Sequence, residues 1–340
     1  MAKRRRGDNQ QSSTPIAEPY NVLRLRLPLE LFDMILDYFP KIPEKVILRN
    51  PIGVAPKYGE RGKVLRALSK TSRLLRNAYL SLAWEHLDGC VIYPEATHGV
   101  WFKQVSKRLE RVSKGLMKCP HLVQHVRVAT VTLTRCSTET VLPAFAQCLE
   151  ILPNLHTLQI IHAHSQMTTA LKTWFEHKRY PQIRAIMLPS CAHNVLRACS
   201  EVTRVVCIED DGGKLVSAIG SDCKKVEVLH GIRPSANIAK RLVKAAPLLK
   251  ELEITTYTIY RNGDELLPSD IKILQNFKQL SSLTIRLERN FRKEKKDALI
   301  QAAREAIQNS SFRGEKVFLD KYAEPQNFNH DSVPKDQESD

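Results

Sequence analysis

Seven short apolar pieces recur between residues 121 and 285, each built on the spacing L-x-x-L-x-L and each separated from the next by helical periodicity. They read HLVQHVRV, NLHTLQI, QIRAIML, EVTRVVC, KVEVLHG, LLKELEI and QLSSLTI. Their anchors are Val123, Val126, Val128; Leu155, Leu158, Ile160; Ile183, Ile186, Leu188; Val202, Val205, Cys207; Val226, Leu229; Leu249, Leu252, Ile254; and Leu280, Leu283, Ile285. Successive first anchors lie 32, 28, 19, 24, 23 and 31 residues apart. Side chains alternate between the faces of a strand, so the second and third anchor places of each piece, two residues apart, fall on one buried face. A unit this small cannot bury that face alone and must stack on its neighbours. A compact α/β domain with crossover helices would produce the same alternation, and the unequal steps speak for it. In EVTRVVCIED, Thr203, Val206 and Ile208 make an equally good register.

Helices are expected over 101–116, 138–152, 168–177, 213–219, 236–246 and 270–276. Pro153, Pro181 and Pro247 stand just ahead of three of the pieces, where a proline ends the preceding helix. A last helix over 293–308, with Ala298, Leu299, Ala302, Ala306 and Ile307 on one side, is expected to cap the sheet, with 316–319 as a final strand.

The period resembles the leucine-rich repeat, in which each unit gives one strand to a parallel sheet and one helix to the outer wall. That family's Asn or Cys, three residues past the last anchor, is matched by Cys191. Val131, Ala163, Asp210, Pro234, Tyr257 and Glu288 occupy the place elsewhere, so an irregular, shallow arc is expected. The resemblance implies that side chains beside the anchors form a concave recognition face. Its target-binding candidates are His125, Arg127, Thr157, Gln159, Met187, Arg204, His230, Glu251, Glu253 and Arg286. The connection 255–269, with Tyr257, Tyr260 and Arg261, is a second candidate.

Nearer the N-terminus, LPLELFDMILDYFP carries Leu27, Leu31, Phe32, Ile35, Leu36 and Phe39 at three- and four-residue spacing, and Pro28 suits a first helical position. Leu65, Leu68, Ser69 and Arg73 follow, closing on Ala83-Trp84-Glu85-His86-Leu87. Together these resemble an F-box, a small helical module that docks on the Skp-type adaptor of cullin-based ubiquitin ligases. The resemblance implies adaptor contacts at Leu27, Pro28, Leu31, Ile35, Leu36, Leu65, Leu68 and Trp84. Residues 41–63 depart from the family, because Pro43, Pro51, Pro56, Gly53, Gly59 and Gly62 punctuate them as an inserted loop.

The expected fold is therefore α/β: a small all-α, F-box-like module followed by an irregular leucine-rich-repeat-like solenoid with a parallel sheet. The expected divisions are a disordered basic N-terminus (1–20), the helical module (21–90, with its loop 41–63), the repeat domain (91–322) and a disordered tail (323–340). The combination resembles fungal F-box proteins with divergent leucine-rich C-terminal halves. It implies a non-catalytic adaptor subunit that binds a Skp-type adaptor, and through it a cullin, while the repeat half recruits a protein target for ubiquitin-dependent degradation.

Composition supplies the alternative. The formal charge of +16, from 52 basic and 36 acidic residues, fits a basic RNA- or chromatin-binding scaffold. Only 6% of residues are aromatic and they form no platform interleaved among the basic residues, so nucleic acid is the weaker expectation. Lys3-Arg4-Arg5-Arg6 permits nuclear import, and a cytoplasmic or nuclear location is expected. The eight cysteines lack C-x-x-C spacing and the N-terminal decapeptide lacks a signal-peptide core, so free thiols in a reducing compartment are expected. No apolar run is long enough to span a membrane.

Cys119-Pro-His121 with His125, and His162-Ala-His164, lack a second half at zinc spacing, so no metal is expected. Asp210-Asp211-Gly212-Gly213 has neither the P-loop lysine nor the dinucleotide glycine pattern, and reads as a turn before a helix. No nucleophile elbow or kinase signature occurs. No catalytic residue and no cofactor are expected.

Overall fold

The computed structural model describes residues 28–43, 46, 57–90, 101–208, 210–255, 267–287 and 293–322. The chain divides into two compact units, residues 1–38 and residues 39–340. Leu27, the two terminal segments, Tyr257, Tyr260 and Arg261 lie outside the described residues.

In the first unit the described element is helix α1, Leu29–Asp37. The second contains, among the described residues, nine strands in one parallel sheet: β1 His86–Cys90, β2 Val128–Leu133, β3 Thr157–Ala163, β4 Ala185–Pro189, β5 Arg204–Ile208, β6 Val228–Ile232, β7 Glu251–Thr255, β8 Ser282–Leu287 and β9 Val317–Tyr322. Its helices, among the described residues, are α2 Lys57–Thr71, α3 Arg73–Glu85, α4 Trp101–Met117, α5 Pro120–Val123, α6 Thr138–Glu150, α7 Thr168–Phe175, α8 His193–Arg197, α9 Gly213–Asp222, α10 Ala236–Ala245, α11 Pro268–Lys272 and α12 Lys293–Gln308.

Strand order follows chain order from β1 to β9 without a reversal. A doubly wound domain reverses its strand order at a switch point; here each unit pairs only with those before and after it. One row of residues crosses the whole sheet in register: Leu87, Ala129, Leu158, Ile186, Val205, Leu229, Leu252, Leu283 and Phe318. These second anchors join helix residues such as Phe145, Leu171, Leu196, Ile219, Leu242 and Ala303 in one continuous core. Each fully buried aliphatic side chain contributes about 1.5 to 3 kcal/mol. Helices α6, α7, α9, α10 and α12 begin within two residues of the expected positions.

Four sequence expectations change. In the first repeat the valines set a false register: Pro120 opens α5, which takes Val123, and the strand begins only at Val128. Its true anchors are the buried Val126, Ala129 and Val131. A small alanine in the central place, beside a helix-forming proline, hid the pattern. Second, β1 is a sheet strand drawn from residues assigned to the helical module; with one anchor, Leu87, it carries no repeat signature. Third, residues 57–63, expected as loop, form the first turns of α2. Gly59 and Gly62 each cost a helix about 1 kcal/mol, and buried Leu65 and Ser69 further along the same helix offset this. Fourth, both faces of β5 are covered. Val205 and Cys207 enter the main core, while Val206 and Ile208 join a second cluster on the opposite face. The two registers in EVTRVVCIED looked equally good for that reason.

The turns that follow the strands use varied chemistry. Cys191 Sγ donates to the Ala163 carbonyl of the preceding turn at 3.1 Å. Asp210, at the equivalent place one repeat later, accepts from the Ser190 amide at 3.1 Å and the Gly212 amide at 2.9 Å. Asp211 Oδ1 accepts from the Gly213 amide at 2.9 Å, so Asp210–Gly213 is a turn leading into α9, as expected.

Candidate functional site

Helix α1 is apolar on two sides. Leu36 is buried and Leu29 and Phe32 are half-buried, whereas Leu31 (42% exposed), Met34 (61%), Ile35 (49%) and Tyr38 (85%) face solvent. The exposed four stand at i, i+3, i+4 and i+7, which aligns them along one face. In the sequence the two stripes run together, and Met34, three residues after Leu31, is the signal that marks the exposed one. Pro28 is exposed and sits at the N-cap, one place before the expected first helical position.

In the second unit α2 and α3 pack as a pair. Ser72 caps α3 by accepting from the Leu75 amide at 3.2 Å, and Leu65, Ser69, Tyr79 and Ala83 are buried. Trp84 packs against the main core and Leu68 is half-buried. Of the residues expected at an adaptor contact, Leu36 and Leu65 are therefore interior, and Leu31, Ile35 and Pro28 are accessible. Leu74 and Leu82 on α3 are exposed and were not anticipated.

The sheet face opposite the main core is divided. Across β3, β4 and β5, Ile161, Met187, Val206 and Ile208 form the second apolar cluster, with Ile42 and Tyr58 packed against it. Met187 is consequently 3% exposed, which corrects its expected role as a recognition residue. Ile42 and Tyr58 come from the stretch 41–63, whose prolines and glycines interrupt any apolar period that could have signalled this cover. Thr130, also buried, donates from Oγ1 to Gln159 Oε1 at 2.8 Å across β2 and β3.

Toward β9 the same face is polar. His230 Nε2 lies 2.9 Å from Glu251 Oε1, and Arg286 Nη2 contacts both carboxylate oxygens of Glu253 at 2.9 and 3.0 Å. Glu253 is buried, and Arg204, His230, Glu251 and Arg286 are half-buried, as are Thr157 and Gln159. Most of the expected recognition row thus lies on one face. Met187 lies on that face but is covered, and the exceptions are His125 and Arg127, which precede β2 in the turn; the Arg127 backbone links the Glu85 carbonyl to the Thr157 amide. Alternation carried back from a misplaced strand start put them on the face.

Among the described residues no three His, Cys, Asp or Glu side chains converge as a metal site, and no helix is long and apolar enough to cross a membrane. The geometry offers an apolar helix face in one unit and a charged sheet face in the other.

No family model matches the chain, and no curated protein sequence matches it. Among solved structures it is similar to the leucine-rich repeat-containing protein LegL7 from Legionella pneumophila, with 12% identity over 62% of this chain and 87% of that one, at a TM-score of 0.34. The architecture described above rests on strand order and register alone.

Proposed function

We propose that this chain is the substrate-recognition subunit of a Skp, cullin and F-box type ubiquitin ligase, with an F-box-like N-terminal part and a leucine-rich-repeat-like sheet domain. The observation that carries the reading is the exposed stripe Leu31, Met34, Ile35 and Tyr38 on α1. Four large apolar side chains removed from water by a partner are worth about 6 to 12 kcal/mol before ordering costs. Leu74 and Leu82 on α3 add exposed apolar surface. The sheet domain recruits the target through its open polar portion, from Arg204 and His230 to Arg286, where paired charges select a complementary surface more than they add affinity.

The experiment is copurification with a recombinant Skp-type adaptor. Leu31→Ala combined with Ile35→Ala is expected to abolish retention while leaving the thermal melt within a few degrees of wild type, since neither side chain is buried. Undiminished adaptor binding by the double variant would remove the basis of the proposal.

A further inference from the structure

The helix layer carries its shortest α-helix of three successive units at the shortest step. Ile183 and Val202 open consecutive units only 19 residues apart, and this step accommodates just the five-residue α8 between the eight-residue α7 and the ten-residue α9. A 3-10 turn, Ser190–Ala192, runs directly into α8, and the α-helix itself is shorter than either neighbour. A cleft of about 430 Å³ lies there. Lys172, Glu176 and Arg179 line it from α7 and the turn beyond, His193 and Arg197 from α8, and Asp222 from the end of α9.

The charges in the cleft do not cancel. Arg197 Nη1 is 2.5 Å from Asp222 Oδ2, and Lys172 Nζ is 3.7 Å from Glu176 Oε1, so each carboxylate already has a cation. Arg179 is the surplus: its Nη1 donates to the carbonyl oxygens of Glu176 (3.3 Å) and Lys178 (2.7 Å), and among the described residues no carboxylate pairs with it. Lys178 is itself matched by Glu150 at 2.8 Å. His193 Nδ1 lies 3.0 Å from the Ser190 carbonyl, so Nδ1 carries the proton and Nε2 is the atom left to meet a ligand. Burial, together with Arg197 and Lys214, holds the His193 pKa below that of free imidazole, against the Ser190 bond, which raises it. An arriving anion reverses the effect of those cations.

We propose that this cleft binds a phosphate monoester, with Arg179 as its principal cation and His193 as a second donor. A guanidinium matches phosphate oxygens with parallel N–H bonds. The volume is that of a small-molecule site, and a lining of charged groups suits a compact polar ligand rather than an apolar one. Binding of the monoester dianion draws one proton from solvent onto His193 Nε2, so affinity rises as pH falls from 7.5, until the dianion itself gains a proton at about pH 6.

The test uses the full chain and follows the His193 ring by NMR, assigned through His193→Gln, during titration with inorganic phosphate against sodium chloride at equal ionic strength. A saturable shift is expected with phosphate only, with an upward move of the His193 pKa, and at least tenfold weaker binding in Arg179→Gln. Should that variant unfold, Arg179→Lys keeps one donor for the carbonyls, loses the fork, and is expected to bind several-fold more weakly. A phosphoserine peptide and glucose 6-phosphate then distinguish a modified protein from a small metabolite as the source. Equal response to chloride, wild-type affinity in the Arg179 variants, or silence of both phosphoesters overturns the proposal.

Discussion

The Ser190 amide donates to Asp210 Oδ2 at 3.1 Å, tying the turn after β4 to the turn after β5. The other carboxylate oxygen takes the Gly212 amide at 2.9 Å. One side chain thus satisfies two backbone donors in consecutive repeats. Asp210→Ala leaves both without that acceptor, and each orphaned buried donor costs about 1 to 3 kcal/mol. A loss of about 2 kcal/mol or more is expected in urea unfolding, with Asp210→Asn intermediate because its amide keeps one acceptor oxygen.

Two glycines give opposite expectations for the same substitution. Gly231 has φ +78°, and an added Cβ would lie 2.2 Å from the Cys207 carbonyl oxygen. Gly231→Ala is expected to cost about 3 kcal/mol, from left-handed strain and a backbone clash. Gly115, in α4, has open space at that position, so Gly115→Ala is expected to stabilise by about 0.5 kcal/mol. Paired thermal melts decide both; a neutral Gly231→Ala would contradict the β6 backbone described here.

Methionine oxidation reports the cover on the sheet face. Met34 is exposed and Met187 is buried in the cluster that Ile42 and Tyr58 pack against. Dilute peroxide followed by peptide mass spectrometry should convert Met34 to sulfoxide well before Met187. Tyr58→Ser should accelerate Met187 several-fold and leave Met34 unchanged; an unaltered Met187 rate would mean that Tyr58 does not shield it.

Thiol reactivity should divide by burial. Cys119 and Cys136 are partly exposed, whereas Cys148, Cys191, Cys199, Cys207 and Cys223 are buried. Burial pushes the Cys148 thiol up to about 11 and, helped by the charge of Asp222, Cys223 up to about 12; Cys199 and Cys207 are also raised, mainly by burial. The thiolate is the reactive form. At pH 8 an aromatic disulfide reagent should therefore modify Cys119 and Cys136 quickly, and the five buried thiols only once denaturant is added.

Most of the architecture was legible because it depends on spacing. Leucines and isoleucines at L-x-x-L-x-L placed the register row from β3 to β8, and proline-bounded helical periods placed the helices. The first repeat was misread because valine is as acceptable to a short helix beside Pro120 as to a strand. Strand β1 was invisible, since its place depends on pairing with β2 and not on its own composition. On α1, spacing alone could not divide two adjacent apolar stripes into covered and exposed. The row opposite the main core was located by alternation, but its cover by Ile42 and Tyr58 is a long-range contact that local pattern does not encode. The cleft beside α8 lies at the 19-residue step, but its lining comes from three successive helices that no local pattern brings together.

Helix α3 ends at Glu85 and β1 begins at His86, so no linker separates the helical pair from the sheet. Cutting the chain at residue 91, where composition suggests a boundary, would strip the outermost strand and lay bare the β2 backbone from Val128 to Val131. An unprotected sheet margin of this kind recruits strands from other molecules. A fragment that starts before Lys57 retains its own terminal strand, whereas one that starts after Cys90 is expected to self-associate.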